Sequence, residues 1–267
     1  MMSLFSRLHA WLSGLTAGSY PWPAIDITLP SGRHLHLVGS IHMGTRDMAP
    51  LPARLVQKIA AADALFVEAD ISGSNAPFRT PDYDQPLSAR LAPELYARLR
   101  QRADELALDM GTFDWQPPWQ VALVMQAHQA QRLGLRPDYG IDVQMIAAAQ
   151  ASTVPLRELE GTESQMSLLE TLPDEGLSLL EDTLTHWHTN ARLLQLMVSW
   201  WLDAPPRQKN VALPATFGHE LYDVLMHQRN RHWCEVMRAL PPGRYVVAVG
   251  ALHLYGEGNL PQLLRSG

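Results

Sequence analysis

The chain has 267 residues, of which 46% are hydrophobic and 18% are charged. This composition is typical of a globular protein that buries a sizeable core, and it excludes a disordered chain. The formal net charge is -6, and no run of five basic residues occurs. Both observations argue against a nucleic acid as the partner.

Residues 1–18 place apolar side chains at helical spacing, which predicts a short amphipathic helix. Such a helix either packs on the rest of the protein or makes peripheral contact with a membrane. Ser13 and Gly14 interrupt the apolar core that a cleaved signal peptide requires, so they disfavour that third alternative. The single cysteine, Cys234, cannot form an internal disulfide, so we expect a reducing, cytoplasmic location.

Two alternating apolar segments, residues 25–29 and 34–38, predict a β-hairpin near the start of the chain. His34 and His36 lie on one face of the second strand, which we expect to be half-exposed. This strand leads directly into a Gly-x-x-His motif that ends at His42. A buried strand followed by glycine marks a sharp turn at a sheet edge, so His42 is predicted to project over that edge.

Two further segments predict strands that end in glutamate. Residues 64–67 are apolar and precede Glu68, and residues 154–161 contain Glu160 followed by a glycine. Helical spacing between the strands favours parallel pairing with right-handed crossovers. The predicted helices lie near residues 51–62, 93–107, 119–133, 139–151, 173–201 and 217–240, and a polar loop covers residues 72–84.

The last strand, residues 245–249, leads into a second Gly-x-x-His motif, Gly250-Ala251-Leu252-His253, and a short closing helix follows at residues 260–264. We therefore expect an N-terminal amphipathic segment at residues 1–24 and a single α/β domain at residues 25–267. Its mixed, partly parallel central sheet is interrupted by helical regions at residues 85–151 and 162–240.

Four of the predicted strands end at His42, Glu68, Glu160 and His253. If these strands are parallel, their ends lie at one edge of the sheet, where ligands bind in open α/β folds. Two imidazoles and a carboxylate suit a divalent metal ion, and a second carboxylate suits a general base. Glu158 lies on the same strand face as Glu160 and is an alternative to it.

Arg229 lies in a polar helix directly before the last strand. From there its side chain is able to reach the same edge, where it would hold a substrate carboxylate or stabilise an oxyanion. The alternative is an arginine exposed on the surface.

These residues together resemble the TraB/GumN–Tiki family. The resemblance extends from about residue 25 to residue 264, and the closing motif at residues 250–254 is its most specific part. It is carried by the two Gly-x-x-His motifs, Val67-Glu68, Tyr139-Gly140-Ile141-Asp142, Leu159-Glu160 with Gln165, and Arg229-Asn230.

The resemblance implies an α/β fold related to erythromycin-esterase and ChaN-like proteins. It also implies metal-dependent peptidase activity, as in the Tiki branch, or pheromone shutdown, as in another branch. By this resemblance His42 and His253 would be metal ligands or catalytic residues, and Arg229 and Asn230 would line the site.

The leading hypothesis is a metal-dependent hydrolase that acts on a peptide or protein substrate. His42 and His253 would bind Mn, Co or Zn, with Glu160 preferred over Glu68 as the third ligand. The other glutamate would accept a proton, and Arg229 would stabilise negative charge. Two alternatives use the same cleft: a non-catalytic protein that binds a peptide, a metal or haem, and a metal-free esterase-like hydrolase with histidine as the base.

Overall fold

A five-stranded mixed sheet forms the centre of the molecule. The computed structural model describes residues 20–70, 82–206, 213–256 and 258–266. The predicted helix at residues 1–18 and most of the predicted loop at residues 72–84 lie outside this described part. The strands are β1 (Ala24–Leu29), β2 (Arg33–Ser40), β3 (Ala64–Val67), β4 (Leu156–Glu158) and β5 (Gly243–Gly250), in the spatial order β1-β2-β5-β3-β4.

The strands β2, β5, β3 and β4 run parallel to one another, and β1 pairs antiparallel with β2. The predicted α/β class with a partly parallel sheet is therefore confirmed. β5 lies at the centre, and its residues from Tyr245 to Val249 are all buried. In a parallel sheet, helices cover both faces, so both sides of a central strand are buried. The sequence of such a strand is therefore a continuous run of apolar residues.

The register of β2 against β5 brings the two Gly-x-x-His motifs together. Ser40, the last residue of β2, lies opposite Gly250, the last residue of β5. Both motifs therefore leave the sheet side by side at its carboxyl edge. The glycine of the first motif, Gly39, has little room for a side chain, because a Cβ there would lie 3.1 Å from the Ala251 Cα, which is closer than most Cβ contacts in proteins.

The helices pack on the sheet and also form a separate apolar cluster, which includes Leu99, Phe113, Met125 and Leu180. Among the described residues, no helix has both the length and the apolar character that crossing a membrane requires. The helices are α1 (Ala53–Ala60), α2 (Leu87–Arg90), α3 (Pro93–Glu105), α4 (Pro118–Arg132), α5 (Ile141–Ala151), α6 (Thr162–Glu170), α7 (Leu177–Thr185), α8 (Trp187–Leu202), α9 (His219–Tyr222), α10 (Arg229–Arg238) and α11 (Leu260–Arg265).

Two details differ from the sequence-based predictions. The strand expected at residues 154–161 is shorter, because only Leu156–Glu158 pairs with β3. His36 was expected on a half-exposed face but is buried, and its Nδ1 lies 2.6 Å from Asp26 Oδ1. The indole N–H of Trp22 donates to the other ring nitrogen at 3.4 Å, so both nitrogens of His36 have partners.

Candidate functional site

The carboxyl edge of the sheet opens into a cavity of about 400 Å³. His42 and His253 line it together with Glu68 and Arg229. The predicted meeting of the two Gly-x-x-His motifs at one edge is therefore confirmed. The second motif ends in the 3-10 turn Ala251–His253, and the first continues as an irregular loop.

His42 is held by a carboxylate that is 100 residues away in sequence. Its Nδ1 lies 2.9 Å from Asp142 Oδ2, at the start of α5. Gly140 makes this approach possible, because a Cβ there would lie 2.3 Å from the His42 carbonyl oxygen. The Ile141 amide donates to the Ile41 carbonyl oxygen at 2.9 Å, which fixes the two segments together. No described residue forms a hydrogen bond with the Nε2 atom of His42.

The environment of His42 favours its charged form. The negative charge of Asp142, and then the hydrogen bond to it, raise the pKa of His42 to about 9 against the opposing effect of burial. The His42 side chain is 64% exposed, whereas the Asp142 side chain is 6% exposed. The charge of His42 is therefore set by the buried carboxylate beside it rather than by its own burial.

His253 is held by an uncharged amide instead. Its Nδ1 lies 2.7 Å from Asn230 Oδ1, and the Asn230 amide N–H₂ donates to the Gly258 carbonyl oxygen at 3.2 Å. This second bond orients the amide, so its oxygen faces the imidazole and Nδ1 carries the proton. The Nε2 atom of His253 therefore keeps its lone pair, at 3.5 Å from Arg229 Nη1.

The environment of His253 favours its neutral form. Only 4% of the residue is exposed, and the Trp233 ring packs on it with 4.6 Å between ring centroids. Burial lowers the pKa of His253 to about 4, although the charge of Glu68 opposes this shift. The two histidines of the site thus differ in charge at neutral pH.

Glu68 is buried and ionised. Its Oε1 accepts the Gly250 amide N–H at 2.6 Å, and its Oε2 lies 2.5 Å from Arg229 Nη2. Burial alone would raise the pKa of Glu68, but Arg229, His253 and His42 together with the Gly250 N–H outweigh it and hold that pKa at about 2. The carboxylate therefore stays charged at any physiological pH.

Arg229 joins the two glutamates. Its Nη2 lies 2.5 Å from Glu160 Oε1, and its Nε donates to both Glu160 oxygens at 3.1 and 3.2 Å. Gln165 donates to the same oxygen of Glu160 at 2.9 Å, and the Trp233 indole donates to the other at 3.3 Å. Burial opposes the charge of Arg229, but the two carboxylates raise its pKa.

The site residues predicted from the sequence do come close together, but they take different positions. Glu68, Arg229 and the two histidines line the cavity. Glu160 is not among the described lining residues, and both of its oxygens accept hydrogen bonds from Arg229. Asn230 is buried behind His253 and does not line the cavity, so it positions that imidazole.

Sequence reasoning missed the roles of three residues. Asp142 was recognised only as part of the Tyr-Gly-Ile-Asp segment, with no partner assigned, yet its carboxylate binds His42. Gln165 and Trp233 hold the carboxylate of Glu160. The available signal was the Tyr-Gly-Ile-Asp segment at residues 139–142, because a glycine directly before a helix with an acidic first turn indicates a close backbone approach.

The rest of the described cavity wall is mainly apolar. It is formed by α4, α8 and the segment that precedes α10, and no Asp, Glu, Lys or Arg lies among its described residues beyond Glu68 and Arg229. The polar groups of this part are Gln126, Gln129, Asn190 and Thr216. The apolar lining consists mainly of Leu123, Leu193, Leu194, Met197, Phe217 and Met226.

The side chains at the cavity include groups of the kinds that bind a divalent metal ion. Two imidazoles whose Nδ1 atoms are fixed by an oxygen acceptor are typical of metal ligands, which bind through the other nitrogen. Against this, no group of three or more His, Cys, Asp or Glu side chains in the described part is arranged to hold an ion. Imidazole and carboxylate groups are donor types that suit a divalent metal ion. However, Arg229 already forms an ion pair with Glu68, the carboxylate that lines the cavity.

Comparisons with known proteins agree over nearly the whole chain. A sequence model described as the TraB/PrgY/gumN family matches residues 26–267. The "Uncharacterized protein YbaP" of Escherichia coli (strain K12) is 57% identical over 264 residues, which cover 99% of this chain and 100% of that protein. A protein of the same name from Shigella flexneri has the same identity and coverage. No solved structure matches the chain.

Proposed function

The chain belongs to the TraB/PrgY/gumN family, as the resemblance of its motifs predicted, and we propose that it is a hydrolase that cleaves a peptide bond with the help of a divalent metal ion. The observation that carries this proposal is the pair of imidazoles at one cavity. Each is fixed through Nδ1, at 2.9 Å to Asp142 and at 2.7 Å to Asn230. No described residue binds Nε2 of His42, whereas Nε2 of His253 lies 3.5 Å from Arg229 Nη1, so a metal ion at this pair would displace a proton from His42 and compete with Arg229 at His253.

In this proposal His42 and His253 would hold Mn, Co or Zn, and the Glu68 carboxylate would be the third donor. Such an ion would supply Lewis-acid chemistry, because it would polarise a carbonyl group and lower the pKa of water. Because Arg229 competes for Glu68, with 2.5 Å between Nη2 and Oε2, we expect weak and exchangeable binding. A site that retains its ion through purification would not match this arrangement.

On sequence grounds Glu160 was preferred as the third metal ligand, but in this proposal it has a different role. Both of its oxygens accept hydrogen bonds from Arg229, and Trp233 and Gln165 add one each. A carboxylate with these partners has little capacity left for an ion. We assign Glu160 to positioning Arg229, which in turn orients Glu68 and is the cation nearest to charge that develops on a substrate oxygen.

The apolar part of the cavity points to the substrate. A peptide whose residue next to the scissile bond is apolar would bury that side chain against Leu193, Met197 and Phe217. An acidic or basic side chain there would lose its hydration without gaining a partner of opposite charge. Asn190 and Thr216 offer hydrogen bonds to the peptide backbone.

The experiment is hydrolysis of a peptide library by the full chain with Mn, Co or Zn added in turn. We expect cleavage next to apolar residues, and we expect Glu68→Gln to abolish it. Glu160→Gln should reduce it less, because that residue acts only through Arg229. Peptide binding without cleavage under all three metals would contradict the hydrolase and favour a binding protein.

A second candidate, a metal-free hydrolase, is favoured by one specific observation. The pKa of His42 is raised to about 9 and that of His253 is lowered to about 4. Two titratable groups whose pKa values are pushed apart are the usual marks of a general acid and a general base. His42 would then donate a proton and His253 would accept one. Full activity after removal of metals by a chelator would establish this candidate and exclude the first.

A further inference from the structure

A second, much smaller cavity lies behind His42. It is lined by His42, Glu68, Ala69, Asp142 and Gln165. The space open to the centre of a water molecule is about 10 Å³ there. Cavities that hold a single water begin at about 10–15 Å³ on that scale, provided that two to four polar groups surround them. Four of these five residues are polar, so both conditions are met.

Two oxygen atoms of the residues that line this small cavity accept no hydrogen bond from the described residues. Asp142 binds His42 through Oδ2, and its other oxygen takes no hydrogen bond from the described residues. Gln165 directs its amide N–H₂ to Glu68 and Glu160, at 3.3 and 2.9 Å, so its carbonyl oxygen also has no donor in the described part. Asp142 is 5% exposed as a residue, yet its second oxygen is not among the described side-chain atoms that are both fully buried and unpartnered, so it borders space that a water is able to enter.

We propose that this cavity is a binding site for one ordered water, which donates hydrogen bonds to the second oxygen of Asp142 and to Glu68. A water supplies two donors, and a carboxylate offers about four acceptor sites, so Glu68 is able to accept one of them in addition to the hydrogen bonds from Gly250, Arg229 and Gln165. It would link Asp142, whose carboxylate holds His42, to Glu68, whose carboxylate accepts a hydrogen bond from Gly250 and pairs with Arg229. The water is a positioning element, because it fixes the His42 ring relative to Glu68.

His42 and Glu68 line both cavities. A water bound behind them therefore supports the two residues that face the substrate, without entering the apolar part. The positioning role of the water rests on the proposed hydrolase, whereas the binding of the water does not depend on it. The binding of the water is tested by structure and its role by kinetics, so failure of one is distinguishable from failure of the other.

The first experiment is a high-resolution crystal structure of the full chain. We expect one density peak at hydrogen-bond distance from Asp142 and Glu68. Absence of the peak would overturn the proposal. A peak with the short distances and multiple oxygen contacts of a cation, or with anomalous scattering after soaking in Mn²⁺, would overturn it as well.

The second experiment fills the cavity. Ala69 is 6% exposed, and Ala69→Val adds two methyl groups where the water would lie. We expect the peak to vanish and kcat to fall about tenfold with KM little changed, because one hydrogen-bonded link at the site is lost. Ala69→Ser should recover most of kcat, since its hydroxyl offers the acceptors a donor again.

Ala103→Val is the matched control, because it adds the same two methyl groups to a fully buried alanine of the separate apolar cluster. It should keep both the peak and kcat even if it lowers the melting temperature. If Ala69→Val loses the peak but keeps kcat, the positioning role is wrong. If Ala69→Ser is as slow as Ala69→Val, the loss comes from crowding, and that result would also contradict the role.

Discussion

The two Gly-x-x-His motifs share a backbone plan but present histidines in opposite environments. Both follow a parallel strand, and their last strand residues, Ser40 and Gly250, lie opposite each other. His42 faces the open cavity and is held by a carboxylate, whereas His253 is 4% exposed and is held by an amide. The repeated pattern thus places two imidazoles together, and their partners give them different charges.

The two histidines differ because their hydrogen-bond partners come from different parts of the chain. The partner of His42 comes from the start of α5, 100 residues away, and the partner of His253 comes from α10, 23 residues away. A carboxylate next to a histidine stabilises its charged form, and a buried amide does not. The predictions below test whether the two histidines act as one site, and then whether their partners set the difference.

The largest expected effect comes from removing either imidazole. His42→Ala or His253→Ala should lower peptide hydrolysis by about 10²–10⁴-fold, the usual contribution of a group that takes part in the reaction. His34→Ala is the control, because it changes an exposed histidine on the same strand as the first motif. Hydrolysis that persists in either site variant would separate that histidine from the reaction.

Removing the cation between the glutamates should cost stability. Arg229→Met leaves two carboxylates buried without a counter-charge, and breaking such a pair costs about 3–5 kcal/mol of the free energy of unfolding. The side chains of Arg229, Glu68 and Glu160 are 16%, 6% and 9% exposed. Urea unfolding would measure the loss. Arg231→Met, at a side chain that is 56% exposed, should change it little.

The buried histidine should make the metal-free protein sensitive to acid. The pKa of His253 is about 4 in the folded state against 6.5 ordinarily. Its contribution to stability is therefore complete above pH 6.5 and is lost as the pH falls through 4. The shift corresponds to about 3 kcal/mol between those two pH values. His253→Gln should lose less free energy of unfolding over that range, and an equal loss in both proteins would contradict the assignment.

Exchanging the partners should narrow the difference between the two histidines. In Asp142→Asn the pKa of His42 should return towards 6.5, because the charge that raises it is gone. In Asn230→Asp the pKa of His253 should rise, since a carboxylate would replace the amide oxygen at 2.7 Å. Titration of both imidazoles by NMR in the metal-free protein measures these changes. Unchanged pKa values would show that the partners do not control them.

The sequence predicted the framework of the site well. Strands that end near His42, Glu68 and His253 were visible from apolar runs followed by glycine or an acidic residue. Their parallel pairing follows from the alternation of strands and helices. The family resemblance, carried by the same residues, is confirmed by the match to residues 26–267.

The pairing of side chains was not predictable to the same degree. Asp142 reaches His42 only because residues 136–142 dock on the loop after β2, with Gly140 against the His42 carbonyl oxygen. Glu68 directly follows β3, whereas Glu160 lies two residues beyond the end of β4, and no local pattern decides which of the two carboxylates lines the cavity. Contacts between segments far apart in sequence determine this choice, and spacing along the chain carries no information about them.

Metal binding tests the central claim, that His42 and His253 form one site, most directly. Titration of the purified chain with Mn²⁺, Co²⁺ or Zn²⁺ should show one weakly bound ion per chain in the wild-type protein. The same titration should show none in His42→Ala and none in His253→Ala, while His34→Ala should match the wild type. An ion that is retained in stoichiometric amount by both single variants would contradict the shared site.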